Sequence, residues 1–240
     1  MEVPLMRFSR IGGAAAVGFA VTIATINLIM VPAGLPPAGT DAGRAAAFFA
    51  ADGRLVGVAS ALAPLAWILA TLFGAAAVTA VRESEQARQE AWSLVGFAGV
   101  LLQNLTFAGV IAARLALARS AGAGPQAAAA LWAWHDAAFT LNGTFLAMAL
   151  AGLSVAGLRA GLIRPWLAAL GALAAVLQFT SACLAFLVIE RAGPLGLVGL
   201  AGWLAWVVWL VAYGLRLAGA PAGPVQPGGP GGPAAGLRRG

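Results

Sequence analysis

His135 and Asp136 are adjacent, and an imidazole beside a carboxylate suits proton transfer. They stand near the start of one apolar run, and Arg114 stands near the end of the run before it. An antiparallel helical hairpin brings the three to similar depth, so an Arg114–Asp136 ion pair is expected, with Glu190 joining from the end of the next run. Two chemistries fit: acid/base work by Asp136 with His135 assisting, or recognition of a polar ligand. Ionisable groups are costly inside a bilayer, so their clustering points to a site.

Deeper polar residues are Asn27 in the first run, Gln103 and Asn104 in the third, Asn142 and Thr144 in the fourth, and Gln178 in the fifth. Asp136, Thr140 and Thr144 recur every four residues on one helix face, and His135 and Asn142 share an adjoining one. This predicts a polar seam among the third, fourth and fifth runs that opens outward. The structural alternative is that the amides hydrogen-bond between helices, at about 0.6 kcal/mol each. Trp203, Trp206 and Trp209, with Tyr213 beyond, form an aromatic ridge suited either to packing or to an isoprenoid or sterol-like ligand.

Other chemistry is excluded by what the chain lacks. It has one His, one Cys (Cys183) and no Lys, which removes a usual zinc site, two-His haem ligation within one chain and any Schiff base. Neither a metal nor a cofactor is expected. Ser154 is followed two positions later by Ala156, so no G-x-S-x-G elbow forms, and no H-E-x-x-H or phosphate loop is found.

The elements that must position these residues follow from composition. The chain has 240 residues, 61% hydrophobic and 9% charged, with mean hydropathy +0.91. A bilayer crossing needs roughly 20 apolar residues. Runs at about 11–31, 55–81, 93–116, 133–158, 166–189 and 195–217 meet that need. The first is too long for the core of a signal peptide. The fold class is therefore all-α: a six-helix transmembrane bundle over 1–218 and a disordered cytoplasmic Pro/Gly-rich tail over 219–240.

Between the first two runs, Thr40 and Asp41 are placed to cap a short helix through Ala51 that exposes Phe48 and Phe49 to the membrane interface. Arg82 to Ala91 reads as a solvated helical turn. Pro64 is expected to bend the second helix, and Pro165 and Pro194 to sit at helix starts. Trp92 and Trp166 are read as inner interface anchors, and Trp132 and Trp134 as outer ones. Nine Arg fall on the side of the amino terminus and five opposite, so both termini are expected in the cytoplasm.

Arg10 before an apolar helix, Ala47–Arg54 leading into the second run, and Gly161–Gly171 entering the fifth form a pattern over about residues 7–215. It resembles the uncharacterised six-helix integral membrane proteins of bacteria grouped as a domain of unknown function. The resemblance implies this architecture alone, with no activity or functional residues to carry over; the expected location is a bacterial plasma membrane.

The functional expectation is a membrane protein that binds a lipid, a small amphiphile or a partner helix in the polar seam. Expected partners are membrane lipids, a hydrophobic small molecule or another membrane protein, and no nucleic acid. Alternatives are a membrane enzyme acting on an isoprenoid or lipid, and a small-solute transporter.

Overall fold

A computed structural model describes residues 8–119, 124–190 and 193–219. Among these residues every regular element is helical. The first span is α1 (Phe8–Met30). A loop then leads to α2 (Ala42–Ala51), and α3 (Gly53–Ser60) with α4 (Ala63–Ala87) makes the second span. The third and fourth are α5 (Trp92–Arg119) and α6 (Pro125–Arg159). The fifth is α7 (Pro165–Cys183), followed after Leu184 by α8 (Ala185–Glu190), and the sixth is α9 (Gly196–Ala218). Six spans are long and apolar enough to cross a bilayer, so the chain is an all-α integral membrane bundle. Apart from Gly219, which ends α9, the tail at 219–240 lies outside the described residues.

The break in the second span follows from Pro64. Its ring opposes the carbonyl four positions back and it has no N–H to give. The helix interrupts at Ala61 and Leu62, where the Leu62 amide bonds the Ala59 carbonyl at 3.3 Å, and restarts with Pro64 in the first turn of α4. Pro165 likewise opens α7, and Pro125 opens α6 eight residues before the expected span start at 133.

Each span packs on its chain neighbours, and α9 returns to α1, so the six form a closed ring. Its centre is filled by Phe19, Phe73, Leu150, Leu153, Trp206, Trp209 and Tyr213. Lipid tails are as apolar as the helices, so close van der Waals contact must hold such a ring together. The α5–α6 pair is built for it. A Cβ added to Gly152 would stand 2.7 Å from the Trp92 carbonyl oxygen, and one on Gly99 would stand 2.7 Å from that of Phe145. Gly199 and Gly202 of the last span press on Ser181 and Gln178 in the same way, whereas Gly196 faces open space.

Two loop expectations are corrected. Asp41 caps α2 as expected, accepting from the Gly43 and Arg44 amides at 3.0 and 3.1 Å. The helix, however, turns its phenylalanines inward: Phe49 is fully buried, 6.0 Å from the Trp132 ring, and Phe48 is half-buried. They join Met30, Val56 and Leu117 in a second, smaller core at the end of the ring remote from the α1 start. The charged turn is also not simply solvated. Glu85 is buried; its carboxylate accepts the Ser93 amide at 2.7 Å and the Ser93 hydroxyl, capping the start of α5. Arg159 at the end of α6 pairs with Glu90 beside it.

Candidate functional site

The α5–α6 hairpin and the first loop meet around His135. Trp132, His135 and Phe139 are three and four residues apart, hence on one face of α6. The imidazole stacks against Trp132 with ring centres 4.6 Å apart and 12° between planes, and lies parallel to Phe139 at 6.0 Å. Its edge is hydrogen-bonded on both sides. Arg114 donates from Nε to His135 Nε2 at 3.0 Å, and His135 Nδ1 lies 3.2 Å from Asp136 Oδ1.

These partners set the tautomer. A guanidinium nitrogen only donates, so Nε2 must present its lone pair, and the ring proton sits on Nδ1 directed at Asp136. The other Asp136 oxygen accepts the Gly39 amide at 2.8 Å. Trp132 adds a second tie to the same loop, donating from Nε1 to the Thr40 carbonyl at 2.7 Å. Gly39 has φ +80°, a left-handed conformation that favours glycine, and it is this turn that aims its N–H at the carboxylate.

The expected direct Arg114–Asp136 pair is therefore corrected. No such contact is found within 4.0 Å among the described residues; His135 stands between the two charges. Neighbouring residues diverge by about 100° around a helix, so His135 meets α5 while Asp136 turns to the loop. Trp132, read as an interface anchor, is instead 3% exposed, whereas Trp134 keeps 58%.

The remaining predicted residues do not converge on this cluster as one seam. Asn104 faces α4, donating to the Trp67 carbonyl at 3.1 Å and Thr71 Oγ1 at 3.2 Å. Gln178 donates to the Gly199 carbonyl on α9 at 3.1 Å. Asn27 bonds its own helix at Ile23. Asn142 is buried with Oδ1 unpaired, Thr144 is half-buried, and Glu190 is exposed.

Gln103 lines a cavity of about 10 Å³ at the ring centre, with Phe19, Phe73, Ala149, Trp206 and Trp209 among its walls. That is the size of one water. Trp203, half-buried beside Trp206, continues the ridge, which packs inward on Phe19 and Phe73. Ala149 follows His135 by fourteen positions, about 21 Å along α6. The ridge and the His135 cluster are separate places.

Sequence reasoning missed the loop atoms of Gly39 and Thr40, the stacking partner Phe139, and Glu85. Among the described residues no three His, Cys, Asp or Glu side chains come together in a metal-sized group. Arg114 is the least satisfied member of the cluster. It is 8% exposed, and its two terminal nitrogens donate to no described residue.

Fold and cluster together define a multi-pass helical membrane protein with a buried Arg–His–Asp chain where the α5–α6 hairpin meets the first loop. No family model, curated protein or solved structure matches the chain.

Proposed function

We propose that this protein binds the polar head of an amphiphile, a lipid or lipid-like small molecule, at the Arg114–His135–Asp136 cluster, beneath the loop that leads to α2. The observation that carries this reading is Arg114: the residue is 8% exposed, and among the described residues only its Nε is engaged. Nη1 and Nη2 are not among the fully buried unpaired atoms, so they stay accessible, and a ligand that accepts from them gains charge-assisted hydrogen bonds that the fold leaves unmade.

The cluster belongs, in this reading, to the outer leaflet side of a bacterial plasma membrane, with the start of the first span and the end of the last on the cytoplasmic side. The Arg bias supports that placement. An enzyme shielding a reactive intermediate with the Trp ridge needs ridge and imidazole around one substrate, and their separation of about 21 Å along α6 favours binding instead.

The test is native mass spectrometry of the full-length protein extracted in mild detergent. Wild type is expected to retain a lipid-sized adduct that Arg114→Gln loses while keeping its helical circular dichroism and monodisperse elution. Equal adduct on both proteins, or none on wild type, removes the reading.

A further inference from the structure

We infer that the head group taken by this cluster is uncharged and accepts hydrogen bonds, an ester carbonyl or a hydroxyl and not an acid. This rests on the binding reading above and adds the chemical class of the ligand.

The argument is one of charge. Among the described residues the buried charged side chains are Glu85, Arg114 and Asp136. Glu85 is at the opposite face, engaged by Ser93. The other charges near the cluster's face, Asp41, Arg44, Arg54, Arg119 and Glu190, are exposed, and Asp52 is half-buried. One buried cation is thus matched by one buried anion, with an imidazole in its Nδ1–H form between them.

An Arg fork with free donors ordinarily suggests a carboxylate or phosphate. Here Asp136 already supplies the counter-charge. An entering acid would be a second anion facing a single cation, and a buried charge without its own partner is strongly unfavourable. A carbonyl or hydroxyl oxygen accepts from Nη1 and Nη2 and leaves the balance intact. Exposed apolar side chains next to the cluster, Leu115, Trp134 and Phe139, give an aliphatic tail a surface to follow.

The experiment uses two probes with the same oleyl-type chain: 1-monooleoylglycerol, which is neutral, and oleyl sulfate, which is permanently ionised. Each is titrated against full-length protein in phosphatidylcholine nanodiscs, with occupancy read by native mass spectrometry. Wild type is expected to prefer monooleoylglycerol by about tenfold or more. Arg114→Gln should lose monooleoylglycerol, and Asp136→Asn, which leaves Arg114 unmatched, should turn the preference toward oleyl sulfate.

Gly39→Ala disturbs the same loop contact without altering charge, so it should keep the wild-type preference; a switch to oleyl sulfate in that variant overturns the charge argument. Wild type that takes oleyl sulfate as well or better, in an Arg114-dependent way, overturns the neutral-ligand inference while the binding reading stands. Probe occupancy indifferent to Arg114→Gln overturns both.

Discussion

The carboxylate of Asp136 accepts the backbone N–H of Gly39 at 2.8 Å, joining positions 97 apart in the chain. With the Trp132 to Thr40 bond beside it, this contact ties the first loop to the fourth span at Trp132 and Asp136, two residues that contact His135. The loop's position therefore depends on backbone geometry at one glycine as well as on a charged side chain.

Replacing Gly39 by Ala forces an L side chain into a left-handed conformation, at a cost of about 1–2 kcal/mol. The expected result is a lowered unfolding midpoint in detergent and faster proteolytic cleavage between residues 31 and 41. Gly57→Ala is the contrast: this glycine lies inside α3 with open space at its Cβ position, and the change should be neutral or gain up to about 1 kcal/mol. Equal behaviour of the two variants would contradict the assigned role of Gly39.

His135→Phe retains a ring between Trp132 and Phe139 but removes the hydrogen bonds that separate and satisfy two buried charges. A loss of about 3 kcal/mol is expected. Converting the whole chain to apolar residues, as Arg114→Met with His135→Phe and Asp136→Leu, should destabilise less than His135→Phe alone, because no uncompensated charge is left. Reversible unfolding of the two proteins in the same detergent ranks them, and the opposite order would show that the cluster is held by packing instead of polar pairing.

Glu85 serves the start of α5 from another helix. Ala91, the residue before α5, has no side-chain oxygen, and the Glu85 carboxylate takes the Ser93 amide instead. A carboxylate there also faces the positive end of the helix dipole. Glu85→Ala should lower stability by about 1–3 kcal/mol, and Glu85→Gln, which keeps an acceptor but not the charge, by less. Ser93→Ala should make the Glu85 change less costly in a double-mutant cycle. Additive effects would mean that the two side chains do not act together.

Six spans are legible in the sequence because a bilayer-length apolar run has few other uses, and an antiparallel hairpin by itself puts Arg114 and His135 at one depth. What could not be read was rotation about the helix axes. Depth is set by counting residues, but whether Asp136 meets Arg114 or Gly39 depends on which way α6 turns against α5, and that is decided by the close approach at Gly96, Gly99 and Gly152. Backbone partners such as the Gly39 amide carry no residue signature at all. Glu85 was hidden by its charged neighbours, although a helix start without its own cap was a signal that an acceptor had to come from elsewhere.

Gln103 and Asn104 show the same limit and give the last test. They are adjacent amides in one apolar span, equal by hydropathy, yet they face different surroundings. Asn104 bridges to Trp67 and Thr71 on α4 through Nδ2, although its Oδ1 is buried without a partner, so Asn104→Leu should cost about 0.6–2 kcal/mol. Gln103 looks into a cavity of about 10 Å³ among aromatic rings and bonds no described residue. Gln103→Met has nearly the same volume and removes an amide that makes no hydrogen bond to a described residue, so it should be neutral or stabilising. Paired unfolding measurements decide it. If Gln103→Met proves the more damaging of the two, the amide has a partner in the bundle centre, and a single water held in that cavity becomes the first group to look for.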